Sequence, residues 1–115
     1  MTQLSAKPVL HFVWLEVADL ARSRQFYAEL LQLPLATDGD EFVAVDLGAA
    51  SLYLAAGEPN PAGIYVAIAM PDIEALRQRL GDAGVSAEIQ DEGWARYIEL
   101  TDPDGYRLYL LEPAA

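Results

Sequence analysis

The chain repeats itself, and that limits its fold more than any single motif. "FVWLEVADL" (12–20) aligns with "YVAIAMPDI" (65–73) at an offset of 53, pairing Phe12 with Tyr65, Val13 with Val66, Leu15 with Ile68 and Asp19 with Asp72. "SLYLA" (51–55) aligns with "RLYLL" (107–111) at an offset of 56, pairing Tyr53 with Tyr109. A repeat of this length is one supersecondary unit used twice, each copy too small to bury its apolar face alone. With 115 residues the chain holds one domain and not two independent ones. Module one covers about 9–57, a Gly- and Pro-rich linker 58–63, and module two about 64–113.

Each module predicts a strand, a helix, then further strands. Asp19 and Asp72 stand as N-caps, since a short carboxylate can accept from the free N–H groups of a first turn. The helix over 20–33 presents Leu20, Tyr27, Leu30 and Leu31 at helical spacing and stops before Pro34. The second helix runs over 73–83, with Gly84 as its C-terminal cap. Strands follow at 41–47, 50–55, 85–90, 95–100 and 106–112, the last leaving a "DPDG" turn in which Gly105 takes a positive φ. The expected class is α+β: two tandem βαβββ modules forming a cupped mixed sheet around a cavity.

The strand faces divide by chemistry. Val13, Leu15, Val17, Val43, Val45, Leu47, Leu52, Leu54, Val66, Ile68, Met70, Ile98, Leu100, Leu108 and Leu110 form aliphatic faces suited to packing under helices. Facing away from them are Phe12, Trp14, Glu16, Phe42, Asp46, Tyr53, Tyr65, Tyr97, Glu99, Arg107 and Tyr109, with small alanines between. Curled sheets would make this second face a cavity lining; a partner chain could also cover it.

Charge narrows the partners. Eighteen acids against seven bases give a net charge of −11, a field that repels nucleic acid and anionic membrane and attracts cations. There is no cysteine, so disulfides and thiolate metal sites are excluded and a reducing cytoplasm suits the chain. The apolar run in residues 1–17 is too short for a signal or membrane helix and is interrupted by Glu16.

The double βαβββ pattern, the run Val17, Asp19, Leu20, Phe26, Tyr27 and the "DPDG" at 102–105 resemble the vicinal-oxygen-chelate superfamily of glyoxalases, bleomycin-resistance proteins and extradiol dioxygenases. The resemblance covers nearly the whole chain and speaks to fold more than to chemistry. It implies that metal-using members keep His or Glu at four points, which fall here on Phe12, Tyr53, Tyr65 and Tyr109. A neutral phenol is a poor ligand for a divalent ion and Phe is none. One His and no Cys cannot build a two-His-one-carboxylate site within one chain. His11 is one step out of register, on the other side of the strand. The expectation is therefore no metal and no cofactor.

Glu16 and Glu99 are the candidate acid–base residues, because burial among aromatic rings would raise a carboxylate toward a useful range. They could equally line an exposed rim, or simply attract a cation. Arg107 could pair with one of them or orient an anionic group. Trp94, before the strand at 95–100, either stacks on a ligand at the pocket mouth, as the antibiotic-binding branch implies, or anchors its loop. The reading is a metal-independent, cytoplasmic, homodimeric protein that sequesters a flat cationic compound such as an antibiotic. The alternative is a lyase, isomerase or dioxygenase-type enzyme using Glu16, Glu99 or another metal site.

Overall fold

Alternation of period two builds both sheets in the computed structural model, which describes residues 8–114. The expectation about residues 1–17 touches residues 1–7, which lie outside the described residues. In module one, β1 (Phe12–Val17) lies parallel to β4 (Ala50–Ala56), and β4 is antiparallel to β3 (Phe42–Leu47), which is flanked by β2 (Leu35–Asp38). Module two copies this order with β5 (Tyr65–Ala69), β8 (Arg107–Pro113), β7 (Ala95–Thr101) and β6 (Gln90–Asp91), giving two four-stranded sheets, β1-β4-β3-β2 and β5-β8-β7-β6. Two helical segments complete the α+β fold: α1 (Leu20–Arg24) running into a π-helical turn (Gln25–Leu30), and α2 (Ile73–Asp82). No helix among the described residues is long and apolar enough to cross a membrane.

The aliphatic faces pack under the helices as their pattern requires. Leu15, Val17, Val45, Leu52, Leu54, Ile68, Ile98, Leu108 and Leu110 form one buried cluster with Tyr27, Leu31, Ile73, Leu76, Leu80 and Tyr106, so both modules share a core. Val13, Leu47, Val66, Met70 and Leu100 pack against it half-buried. Both expected caps are present: Asp19 accepts from the Arg22 amide, and Asp72 from the Ala75 amide. Gly84 ends α2 at φ +82°, and the Val85 amide closes back on the Leu80 carbonyl at 2.8 Å.

Three expectations need correction. The first helix is not one α-helix over 20–33. Its second half widens so that the Leu31 amide reaches the Phe26 carbonyl, five residues back, and Gln32 then takes the left-handed φ of 55° that turns the chain into Pro34. The strand over 85–90 pairs only at Gln90 and Asp91. Val85, Ala87 and Ile89 do alternate toward the core, yet the backbone there has no ladder partner. Conversely, β2 has no alternation to announce it: three of its four residues are exposed, and its register slips between Leu35 and Thr37.

The "DPDG" turn does more than reverse the chain. Asp104 Oδ1 accepts from the Ala18 amide at 3.0 Å and from Arg22 at 3.1 Å, and its Oδ2 accepts from the Ser23 hydroxyl at 3.3 Å. Asp102 accepts from the amides of Asp104 and Tyr106 and from the Tyr27 hydroxyl. The Tyr106 hydroxyl donates to the Glu16 carbonyl at 2.7 Å. The turn thus clasps the last strand of module two to the first helix of module one.

Candidate functional site

The faces turned away from the core carry the aromatic residues, and the registers explain why their rings meet. On module one, Tyr53 lies beside Trp14 on β1 and beside Ala44 on β3. Trp14 stacks on Tyr53 at 5.6 Å and 15°, Phe12 meets Tyr53 edge-on at 5.1 Å, and Phe42 leans on both Tyr53 and Trp14. On module two, Tyr109 lies beside Ala67 on β5 and Glu99 on β7. Tyr65 stacks on Tyr109 at 5.7 Å and 18°, and Tyr97 meets Tyr109 edge-on at 5.6 Å and 71°. Every aromatic pair found lies within one module. Phe12, Trp14 and Tyr65 stay 48%, 50% and 52% exposed, and Trp94 65%, an unusual amount of large apolar surface for one small domain.

The charged candidates divide into tied and untied groups. Glu16 accepts from the Glu58 amide at 3.1 Å and lies so close to Gly57 that a Cβ there would overlap its carboxylate. Asp46 accepts from the Gly48 amide at 3.0 Å and shapes the β3–β4 turn. Arg107 donates to the Tyr65 hydroxyl at 2.8 Å, with its guanidinium carbon 5.3 Å from that ring's centre. Glu99 has no ion-pair partner among the described residues. Both Glu16 and Glu99 are exposed, so the burial that would fit them for acid–base work is missing. Burial pushes the Tyr109 phenol above its ordinary value; the charge of Glu99 and the phenols of Tyr65 and Tyr97 add to this, and Arg107 opposes it.

One hollow opens directly on the aromatic face. It measures about 390 Å³ and is lined by Ala67, Glu92, Trp94, Tyr97, Tyr109 and Leu111. Trp94 joins it from a turn in which Asp91 accepts from the Gly93 amide, Gly93 sits at φ +89°, and the Trp94 carbonyl accepts from the Ala114 amide. Glu92 and Leu111 escaped the sequence reading. Leu111 shares the strand phase of Tyr109 and was legible, whereas Glu92 lies off the strand and had no phase to betray it. A larger cavity of about 590 Å³ lies between the modules on the aliphatic side, against Val13, Leu52, Val66, Ile68 and Leu76. None of the aromatic residues lines it, and its carboxylates Asp46 and Asp72 already accept from backbone amides.

Comparison with known proteins follows the same geometry. The family model of the Glyoxalase/Bleomycin resistance protein/Dioxygenase superfamily matches residues 9–110. The chain belongs to this superfamily. Glutathione transferase FosA of Serratia marcescens is 33% identical over 110 residues, spanning 88% of this chain and 78% of that protein. TnmS3, an antibiotic binding protein from Streptomyces sp. CB03234, superposes with a TM-score of 0.77 at 21% identity over 95% of this chain and 98% of its own. A lactoylglutathione lyase from Agrobacterium tumefaciens superposes with a TM-score of 0.73 at 13% identity over 92% and 94%. The two structural likenesses establish the fold alone.

Metal-using members of the superfamily raise the question whether this donor set fits an ion. Among the described residues of one chain it does not. The four positions where the resemblance implies ligands hold two aromatic pairs, Phe12 against Tyr53 and Tyr65 against Tyr109, and the Tyr109 phenol is shifted upward, which disfavours a phenolate. Among the described residues no three His, Cys, Asp or Glu side chains gather closely enough to hold a metal ion. What these faces offer instead is flat apolar area, the four phenol hydroxyls of Tyr53, Tyr65, Tyr97 and Tyr109, one guanidinium and untied carboxylates.

Proposed function

We propose that this superfamily member binds flat aromatic compounds bearing positive charge, antibiotics among them, and holds them unchanged without a metal. The observation that supports the reading is the two aromatic pairs, Phe12–Tyr53 and Tyr65–Tyr109, on faces open to solvent at positions where the resemblance implies ligands. Rings of this kind stack on conjugated ligands, and π-faces attract cations. The net charge of −11 and the untied carboxylates Glu92 and Glu99 favour a cation over an anion and disfavour nucleic acid or anionic membrane as a partner. The antibiotic-binding TnmS3 shares the fold, which supports sequestration.

The assembly belongs to the same proposal. A twofold homodimer would set the aromatic face of one module against the other module's face in the partner, covering the exposed rings and completing a cavity that one chain only half supplies. The absence of cysteine suits a cytoplasmic site of action. FosA, a glutathione transferase at 33% identity, favours a second reading in which the same faces serve an enzyme.

The deciding experiment is a titration with proflavine, a flat cationic acridine, on chelator-treated protein, followed by mass analysis of the recovered ligand. Tryptophan quenching with an unaltered ligand is expected. A chemically altered ligand, or binding that returns only with one equivalent of a transition metal per chain, would replace sequestration with the enzyme reading.

A further inference from the structure

The two aromatic faces are unlike, and the difference names part of the ligand. On module one the rings lie against one another, with Trp14 nearly parallel to Tyr53 and Phe42 tilted over both. The carboxylates of that face, Glu16 and Asp46, each accept from a backbone amide. On module two Tyr65 also stacks on Tyr109, but Tyr97 and Tyr109 border a hollow. Tyr97 and Tyr109 meet at 71°, so they form two walls of a corner, and Trp94 supplies a third. Ala67 and Leu111 complete the lining without adding a polar side chain. Glu92 lines the hollow and has no ion-pair partner among the described residues, and Glu99 lies opposite Tyr109 in the β7–β8 register.

We propose that this corner, built by Trp94, Tyr97, Tyr109 and Glu92, receives an alkylated ammonium group. The proposal deepens the function above by assigning the positive end of the ligand to module two and leaving the flat end to the stacked rings of module one. Three arguments support it. Aromatic faces are negative at the centre, and several set at an angle around one point hold a cation better than a single ring does. The lining includes no cation of its own; the arginine on this face, Arg107, is two residues away along β8 and bonded to Tyr65. Finally, the walls carry few acceptors. A primary ammonium would give up several hydrogen bonds to water and recover few, whereas a methylated one presents only C–H groups and loses little. Glu92 then supplies long-range attraction without having to accept a hydrogen bond.

The trap is anchored rather than adventitious in its geometry. Asp91 holds the Gly93 amide at 2.9 Å, the positive φ of Gly93 turns the chain, and the Ala114 amide bonds the Trp94 carbonyl at 2.8 Å. Trp94 is therefore carried on a turn fixed at both ends, although its ring is largely exposed.

The test compares choline with its neutral isostere 3,3-dimethylbutan-1-ol, by NMR titration of the probe methyl signals at low salt. Choline should show a saturable upfield shift and bind several-fold more tightly than the alcohol, the preference expected of a cation over partly exposed aromatic faces. Ethanolamine, the primary amine, should bind more weakly than choline. Trp94→Ala and Glu92→Gln should each reduce choline binding several-fold, and Glu92→Gln should leave the alcohol unaffected. Equal binding of choline and the alcohol, no saturable shift for either, or choline binding unchanged in Trp94→Ala would overturn the proposal. Because the first comparison uses the unaltered protein, it stands even if a variant misfolds. Proflavine binding is scored separately: proflavine held with no choline preference removes the ammonium corner alone, and choline held with no proflavine binding removes the sequestration reading alone.

Discussion

The hydroxyl of Tyr27 donates to Asp102 Oδ2 at 2.6 Å, joining the first module's helix to the turn before the second module's last strand. Tyr27 is fully buried and Asp102 is 4% exposed, so neither can turn to water if the other is lost. A buried hydrogen bond to a charged group contributes about 1.5–3 kcal/mol, and an orphaned partner adds a penalty. Tyr27→Phe should therefore lower unfolding free energy in urea by about 2 kcal/mol. Asp102→Ala should cost more, because the Asp104 and Tyr106 amides also lose their acceptor. A loss too small to resolve in Tyr27→Phe would mean that the clasp is held by Asp104 and by the Tyr106 hydroxyl on the Glu16 carbonyl.

The same contact sets an alkaline limit. Burial, and then the charge of Asp102, push the Tyr27 phenol well above its ordinary value. A raised phenol favours the folded state while both states are neutral. Its contribution is complete below the unfolded tyrosine value of about 10 and is lost progressively as pH rises beyond it. The melting temperature should fall steeply above about pH 10, and the fall should be shallower in Tyr27→Phe. Equal slopes for parent and variant across pH 9–11.5 would assign alkaline unfolding to other groups.

Glu112 should set a limit on the acid side. Hydrogen bonds from Arg96 and from the Ile73 amide at the start of α2 hold its carboxyl below the usual range. A lowered carboxyl contributes stability above its unfolded value, and that contribution disappears as pH falls through the folded value. Glu112→Gln should be less stable than the parent at pH 7 and converge with it toward pH 3. Thermal melts of both proteins between those limits test this; curves that stay parallel would show that the carboxylate has no special role.

How much of this was legible in the sequence depends on the range of the cause. β1, β4, β5 and β8 were readable because each separates aliphatic from aromatic residues at period two, and the same separation marked the site face. β2 was not, because an edge strand exposed on both sides leaves no hydrophobic alternation. The π-helical turn at Gln25–Leu30 hides for a similar reason: its apolar stripe reads like that of an ordinary helix. The sequence showed "DPDG" as a turn, a local property of Pro and Gly. Its clasp could not be read, since Tyr27 and Asp102 are 75 residues apart and nothing local pairs them. Glu16 shows the converse failure: its strand phase put it on the site face, while its carboxylate turned to the Glu58 amide in the linker.

Gly105 offers a test of the turn itself. It takes φ +94°, and a Cβ built on it would come within 3.3 Å of the Pro61 side chain in the linker. Gly105→Ala meets both a left-handed backbone penalty and a tight contact, so a loss of about 1–2 kcal/mol is expected. Gly48 has a similar φ of +84° but open space around it, so Gly48→Ala isolates the backbone part. Urea denaturation of the two variants should rank Gly105→Ala as the more damaging; the reverse order would remove the linker contact from the argument.

Trp14 and Leu15 are chain neighbours that should separate binding from stability. Leu15 is 2% exposed in the shared core, and Trp14 is 50% exposed on the opposite face. Leu15→Ala should cost about 2–5 kcal/mol, the usual range for emptying a buried leucine site. Trp14→Ala loses the stack on Tyr53 at 5.6 Å, worth about 1 kcal/mol, and should keep the fold. Its effect on proflavine should be the opposite in rank. Removing the broadest ring of the module-one face takes away a stacking surface, and binding should weaken at least about tenfold, a difference of ~1.4 kcal/mol. Leu15→Ala, assayed well below its melting temperature, should bind proflavine with nearly the parent's affinity. Isothermal titration of both variants decides the matter, since in Trp14→Ala the remaining tryptophan, Trp94, reports only on module two. If Trp14→Ala binds proflavine as tightly as the parent, the ligand does not lie on module one. Its flat part would then have to stack on Tyr65 and Tyr109, the second ring pair of the chain.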